Sequence, residues 1–248
     1  MRSVSCVQEN MHIQRVRICS DTFPIRECYP FNLEIFSGTP EITLSRPVTF
    51  FIGENGTGKS TLLRAIAQNC GIFIWEDAGR RRFHYNPHEN DLYRHIVVEW
   101  TKEIVPGSFF SSEIFRYFAE VLDEWAVADP DQLAYFGNES LMEKSHGQSH
   151  MAFFRSRFQR EGIYLLDEPE NALSPRMQIA LLKVFRDISS NGNAQFIIAT
   201  HSPILLAYPE AEIFSFNHIP IQKVAYEDTD YFRVYRDFLN NRDAFLKE

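Results

Sequence analysis

Two rhythms of apolar residues alternate along this chain. Short, almost wholly apolar runs recur at Val48-Thr49-Phe50-Phe51-Ile52, Ile163-Tyr164-Leu165-Leu166 and Phe196-Ile197-Ile198-Ala199. Runs of this length without polar alternation predict strands buried on both faces of a parallel sheet. Between them, apolar residues recur at helical spacing. Leu62, Leu63, Ile66 and Ala67 share a face from Lys59 to Asn69, with Gly71 as the stop. Phe115, Phe118, Val121, Leu122 and Trp125 form a face from Ile114 to Trp125, and Met151, Phe154 and Phe158 form one from Ser149 to Arg160. Ser174-Pro175 offers an N-cap and a first-turn proline to a helix carrying Met177, Leu181, Val184, Phe185 and Ile188, and Asn191-Gly192 ends it. Tyr231, Val234, Tyr235 and Phe238 mark a last helix.

The first fifty residues read as strands. Ile13, Val16 and Ile18 mark one, Phe31, Leu33, Ile35 and Phe36 another, and Ser37-Gly38-Thr39-Pro40 is a turn. Ile72 to Trp75, Ile96 to Trp100 and Ile213 to Phe216 predict further strands, and residues 126–147 read as a polar loop. Strands alternating with helices predict an α/β domain with a largely parallel sheet.

Composition narrows the picture. The chain has 248 residues, 44% hydrophobic and 23% charged, an ordinary globular balance. No stretch approaches 18 consecutive apolar residues, so membrane insertion is not expected. The N-terminus shows no apolar core followed by a small-residue cleavage site, so no secretory leader is expected. Twenty-five Lys and Arg against 33 Asp and Glu give a net charge of −8, which does not favour general nucleic-acid binding, although a local basic face stays open. Cys6, Cys19, Cys28 and Cys70 form no C-x-x-C pair and no zinc spacing with histidines, which points to reduced thiols in a cytoplasmic protein. There is no internal repeat and no low-complexity run.

Candidate chemistry concentrates in three places. Gly53-Glu54-Asn55-Gly56-Thr57-Gly58-Lys59-Ser60-Thr61 fits G-x-x-x-x-G-K-[ST] between an apolar strand and a helix. Its glycines let the backbone wrap and turn N–H groups toward a phosphate, and the following helix aims its positive end at the same place. Lys59 can reach β- and γ-phosphates, and Ser60 can ligate Mg²⁺. A chance match in a chain of this length has odds of roughly one in a hundred. Second, Leu165-Leu166-Asp167-Glu168-Pro169-Glu170 puts carboxylates at the end of a buried strand. There Asp167 can hold Mg²⁺ through water and Glu168 can polarise an attacking water. Third, Thr200-His201-Ser202-Pro203 follows another apolar strand, so His201 would face the same crevice and could hydrogen-bond a γ-phosphate or the water.

Taken in order, these motifs resemble the ATP-binding-cassette (ABC) ATPases. G-E-N-G-T-G-K-S-T, D-E-P-E-N-A-L-S-P and A-T-H-S-P are similar to small stand-alone ATPases of the AAA/ABC-like group, nearer the SMC and RecF branch than the transporters, over roughly residues 12–245. The resemblance implies a P-loop fold of ABC type: a mostly parallel central sheet, an N-terminal antiparallel β lobe, and a small helical lobe near residues 108–150, all in one nucleotide-binding domain. It implies ATP and Mg²⁺ as ligands and ATP hydrolysis as the reaction. It also implies a homodimer in which each ATP lies between the phosphate loop of one copy and the signature segment of the other, working on a protein partner. Lys144-Ser145-His146-Gly147-Gln148-Ser149 stands where the family has L-S-G-G-Q, 22 residues before Asp167. Ser145, Gly147 and Gln148 thereby join the ATP-binding set, with His146 in place of the first glycine. Independently, Ser145 can cap a helix beginning near Ser149, and its hydroxyl with the Gly147 N–H can bind an anion.

Glu170-Asn171-Ala172-Leu173-Ser174 resembles the family's D-loop with Ser174 where its aspartate stands. The family's Q-loop glutamine is not evident. Phe109-Phe110-Ser111-Ser112-Glu113 occupies its place, with Ser112 or Glu113 as substitutes. Tyr29 and Phe31 are candidates to stack on adenine, with core packing as the competing role. Two other readings stay open: a P-loop phosphotransferase acting on a small molecule, and an ATP-switched regulatory or defence module with little turnover of its own. His84, His88 and His95 suggest a metal only superficially, because Pro87 interrupts the helix such a site would need. Arg80-Arg81-Arg82 reads as a solvated turn.

Overall fold

A computed structural model describes residues 11–75, 86–136, 139–189 and 192–246. Cys6, His84 and the run Arg80-Arg81-Arg82 lie outside the described residues, as does Asn191 of the predicted helix stop.

Six strands make the central sheet: β3 (Val48–Ile52), β5 (Gly107–Ser111), β6 (Gly162–Asp167), β7 (Ala194–Ala199), β8 (Glu212–Ser215) and β9 (Gln222–Val224). Their order is β5-β6-β7-β3-β8-β9, parallel throughout except the β8–β9 edge pair. A second, antiparallel sheet places β1 (Ile13–Ile18) between β2 (Glu41–Thr43) and β4 (Ile96–Trp100). Every residue of β3, β6 and β7 is buried, which is why these runs lack polar alternation.

Both faces of the central sheet are covered. Phe51, Leu165 and Ile197 point into a core shared with the antiparallel sheet and with α2 (Lys59–Asn69). Phe50, Leu166 and Phe196 point the other way, toward α3 (Ser112–Ala128), α4 (His146–Arg157) and α5 (Pro175–Ser189). The fully buried Gln195 locks the two sheets together. Its Oε1 accepts from the N–H groups of His12 at 3.0 Å and Ile13 at 2.7 Å, and its Nε2 donates to the Ile13 carbonyl at 2.9 Å. Glu212, 2% exposed, accepts from Ser45, Thr49 and Lys223. Buried carboxylate oxygens need such hydrogen-bond partners, and these tie β8 to the entry of β3.

The structure corrects three readings of the sequence. Phe31 to Phe36 is not a strand: a turn leads into a short helix, α1 (Glu34–Gly38), with Ile35 and Phe36 buried beneath the phosphate loop. Ile72 to Trp75 forms no strand among the described residues, and Trp75 instead packs on Phe118 and Trp125 at ring distances of 5.2 and 5.7 Å. Helix α4 begins at His146, three residues before the predicted start, because Ser145 caps it directly. The remaining α-helices are α6 (Pro203–Leu206), α7 (Asp230–Asn240) and α8 (Arg242–Leu246). Among the described residues, no helix is long and apolar enough to cross a membrane.

Candidate functional site

β6, β7 and β3 are neighbours, and all three end at the same edge of the sheet. Asp167 pairs in register with Ala199, which pairs with Phe51. The Glu168 N–H donates to the Ala199 carbonyl at 2.9 Å, and the Thr200 N–H donates to the Phe51 carbonyl at 3.2 Å. The three candidate motifs therefore leave the sheet side by side, at the carboxyl edge where open α/β sheets bind ligands.

From β3 the chain enters the glycine loop. Gly58 caps α2 with φ +100°, and a Cβ there would lie 2.8 Å from the Phe36 ring. Only glycine satisfies both conditions. The Glu54 N–H donates to Asn217 Oδ1 at 2.9 Å, and Thr57 Oγ1 donates to the Glu54 carbonyl at 2.9 Å, so the loop is braced from outside and from within. Lys59 is buried, with Nζ donating to the carbonyls of Gly53 at 2.7 Å and Glu54 at 2.8 Å. Burial lowers its pKa, while Glu168, Asp167 and Glu170 oppose that shift. Thr61 Oγ1 lies 2.6 Å from the Tyr29 hydroxyl.

Ser60 Oγ donates to Asp167 Oδ1 at 2.7 Å. Burial raises the Asp167 pKa, and the Ser60 hydrogen bond acts in the opposite direction. These two side chains border a cleft of about 490 Å³ that Arg64, Ser112, Glu113 and Glu168 also line. A hydroxyl and a carboxylate beside the N-terminus of α2 form an all-oxygen donor pair, which fits Mg²⁺. Ser112 and Glu113 stand in the cleft wall, and Ser112 Oγ donates to the Glu168 carbonyl.

Glu168 adopts φ +50°, unusual for a non-glycine residue. Asn171 Nδ2 donates to its Oε2 at 2.7 Å, and its Oε1 lies 3.6 Å from His201 Nε2. That separation exceeds a hydrogen bond, and the buried Nε2 has no hydrogen-bond partner. Burial and Lys59 lower the His201 pKa, and Glu168 opposes them. The His201 N–H donates to Glu170 Oε1 at 2.7 Å, and burial raises the Glu170 pKa. Tyr231, from the first turn of α7, lies 2.6 Å from His201 Nδ1 and 3.0 Å from the Gly53 carbonyl.

The structure thus brings together Lys59, Ser60, Asp167, Glu168 and His201. Ser145, Gly147 and Gln148 do not line the cleft beside Ser60 and Asp167, although Lys144 and His146 line a neighbouring hollow that shares Ser112, Glu113 and Asn171 with it. Ser145, Gly147 and Gln148 open α4, where a reciprocal cap joins the Gln148 N–H to Ser145 Oγ at 3.4 Å and the Ser145 N–H to Gln148 Oε1 at 3.0 Å. Ser145, His146 and Gln148 are exposed, and Gly147 is buried. Phe31 is 3% exposed and packs on Phe23 and His95, so core packing is its role rather than adenine stacking. Tyr29 remains half-open to solvent at the loop. His88 pairs with Asp91 and His95 with Thr22.

Sequence reasoning missed the supporting residues. Glu170 and Asn171 sat inside a quoted motif without a role in catalysis. Tyr231 was legible only as part of a helix face, because its polar contact with Gly53 spans 178 positions.

A family model described as "AAA domain, putative AbiEii toxin, Type IV TA system" matches residues 137–207, and one described as "AAA domain" matches residues 31–90. The thiamine import ATP-binding protein ThiQ of Ruegeria sp. (strain TM1040) is 30% identical over 179 residues, covering 67% of this chain and 75% of that protein. The cytochrome c biogenesis ATP-binding export protein CcmA of Rhodopseudomonas palustris (strain BisB5) is 28% identical over 75% of this chain and 94% of its own length. Among solved structures, cbiO1 from Clostridium perfringens, part of an ABC transporter complex, aligns over 85% of this chain and 88% of its own with a TM-score of 0.46 and 18% identity. The SMC head domain from Thermotoga maritima aligns over 87% and 99% with a TM-score of 0.45 and 13% identity.

Proposed function

This chain belongs to the ATP-binding-cassette family of ATPases, and from that premise we propose how its residues divide the work. ATP–Mg²⁺ is the ligand and hydrolysis to ADP and phosphate the reaction. The loop Gly53–Thr61 cradles the phosphates, and Lys59 leaves its two carbonyl partners to meet the β- and γ-phosphates. Ser60 and Asp167 would hold Mg²⁺, which when bound neutralises charge on the phosphate oxygens. Glu168 accepts the proton of the attacking water through Oε1, since Asn171 holds Oε2. His201 faces the same reacting centre through Nε2. The observation that carries this reading is the convergence of five such side chains at the ends of three adjacent parallel strands.

The signature segment works in trans. Ser145, Gly147 and Gln148 do not line the cleft at Ser60 and Asp167, and Ser145 and Gln148 are exposed, which supports a site completed by a second copy. ATP then joins two copies and hydrolysis releases them. The cycle serves a separate protein partner in the cytoplasm. Exposed Trp125 and Val127 at the end of α3 and the free thiols of Cys19, Cys28 and Cys70 support that setting.

The test is Glu168→Gln. It should retain ATP–Mg²⁺ binding, lose about 10²- to 10⁴-fold in hydrolysis, and accumulate as a dimer by light scattering. Hydrolysis at the wild-type rate would remove Glu168 from the role of base.

A further inference from the structure

Helix α7 reaches into the reacting centre through one hydroxyl. Tyr231 O–H donates to the Gly53 carbonyl at 3.0 Å, and the same oxygen lies 2.6 Å from His201 Nδ1. A phenol has one proton to give. With that proton directed at Gly53, the phenolic oxygen can only accept at Nδ1, so the imidazole must carry its hydrogen there. The ring contact supports a fixed pose, with the Tyr231 and His201 centroids 5.6 Å apart at 70°. The His201 N–H donation to Glu170 Oε1 holds the backbone on the other side.

We propose that Tyr231 is a positioning residue that fixes His201 as the Nδ1–H tautomer and ties it to the phosphate loop through the Gly53 carbonyl. The proposal rests on the reading of His201 as part of the hydrolytic centre. Its consequence is specific. Nε2, buried 3.6 Å from Glu168 Oε1 without a hydrogen-bond partner, carries a lone pair. It accepts a hydrogen bond in the neutral state and must gain a proton before it can donate one to a phosphate oxygen. The Gly53 carbonyl also accepts from Lys59 at 2.7 Å. When Lys59 turns to phosphate, Tyr231 is the remaining side-chain donor to that carbonyl, and the tautomer is held more firmly. A loop that senses nucleotide and a histidine that senses γ-phosphate are in this way joined through one oxygen.

The tautomer can be read directly by long-range ¹⁵N–¹H correlation on ¹⁵N-histidine-labelled full-length protein, without nucleotide, at a pH where His201 is neutral. The wild type should show Nδ1 protonated and Nε2 bare. Tyr231→Phe keeps the ring and should shift His201 to the Nε2–H form. It should lower kcat about tenfold or more while ATP affinity, measured by titration, stays within about twofold. Nε2–H in the wild type overturns the proposal whether or not the variant folds. An unchanged tautomer or an unchanged kcat in a folded Tyr231→Phe overturns it as well. Failure of the hydrolytic reading would appear separately, as His201→Ala hydrolysing ATP at the wild-type rate while the Nδ1–H signal persists in the wild type.

Discussion

Ser60 and Asp167 lie 107 positions apart in sequence, yet Ser60 Oγ donates to Asp167 Oδ1 at 2.7 Å. One sits in the first turn of the phosphate-loop helix and the other closes β6, two strands from β3. Neighbouring parallel strands ending in register hold the two oxygens together before any ligand arrives. Preorganisation of this kind means that little binding energy is spent assembling the donor pair.

Ser60→Ala should therefore act on magnesium more than on nucleotide. ATP alone should bind the variant nearly as it binds wild type. The gain in affinity on adding Mg²⁺ should shrink by about tenfold or more, the scale of one lost charge-assisted interaction. Calorimetric titration with and without Mg²⁺ measures this directly, and an undiminished magnesium effect would place the ion elsewhere.

Lys59 is held inside the fold by two carbonyls and lowered in pKa by burial. Lys59→Ala removes the ammonium that turns to phosphate, so nucleotide binding should collapse. ATP–Mg²⁺ at about 100 times Kd stabilises by about 2.7 kcal/mol, equivalent to about 5–10 °C in Tm for a chain of this size. The wild type should show that shift and the variant none. A variant that still shifts would locate the phosphates away from this loop.

The central strands and the loop between β3 and α2 were legible because their signals are local. Phe50 to Ile52 and Leu165 to Asp167 are buried on both faces, so their runs are apolar without alternation. Phe31 to Phe36 misled because Phe31, Ile35 and Phe36 bury at a spacing that short strands and short helices share. Ile72 to Trp75 has strand-like residues but pairs with no strand among the described residues, and its aromatics pack edge-on and tilted against other rings instead. Tyr231 and Asn217 were illegible for another reason. Each acts by one polar atom on the phosphate loop from more than 160 positions away, and no periodicity encodes such a contact.

Ser145 caps α4 at the surface, and an arginine there would occupy the space a second copy must enter. Ser145→Arg should bind ATP with wild-type affinity and remain monomeric when ATP is present. Its cap hydrogen bond is long, at 3.4 Å, so the loss in stability should stay near the low end of the roughly 0.5–2 kcal/mol expected for a lost cap. Sedimentation with ATP separates the cases: dimerisation equal to wild type would refute the contribution in trans.

Gly147 is a packing residue before it is anything else. A Cβ there would lie 2.7 Å from the Ala172 carbonyl oxygen and 2.9 Å from Met177 Sδ. Alanine normally gains about 0.5–1 kcal/mol over glycine within a helix. A clash with fixed backbone costs about 1–3 kcal/mol, so the clash should win. Gly147→Ala should lower Tm by several degrees, whereas a rise would mean that α4 slides freely over the turn at Ala172.

His150 shows how far the aromatic cluster behind the site excludes charge. It is 4% exposed, its ring lies 4.4 Å from Phe115 and 5.0 Å from Phe110, and burial, aided by His146, lowers its pKa from 6.5 to about 4. Between those values the unfolded chain binds a proton that the folded chain refuses. Stability from this residue is therefore complete above pH 6.5 and is lost as pH falls toward 4. From pH 7 to 5 the loss is about 2 kcal/mol. Asp167 and Glu170 are raised by burial and so act with the opposite sign, gaining stability as pH falls. The contribution of His150 alone appears only as a difference between proteins. His150→Phe should lose less Tm than wild type between pH 7 and 5, by about 4–8 °C. Equal losses would show that the ring titrates in contact with water, and that the cluster between α3 and α4 opens far more readily than its packing implies.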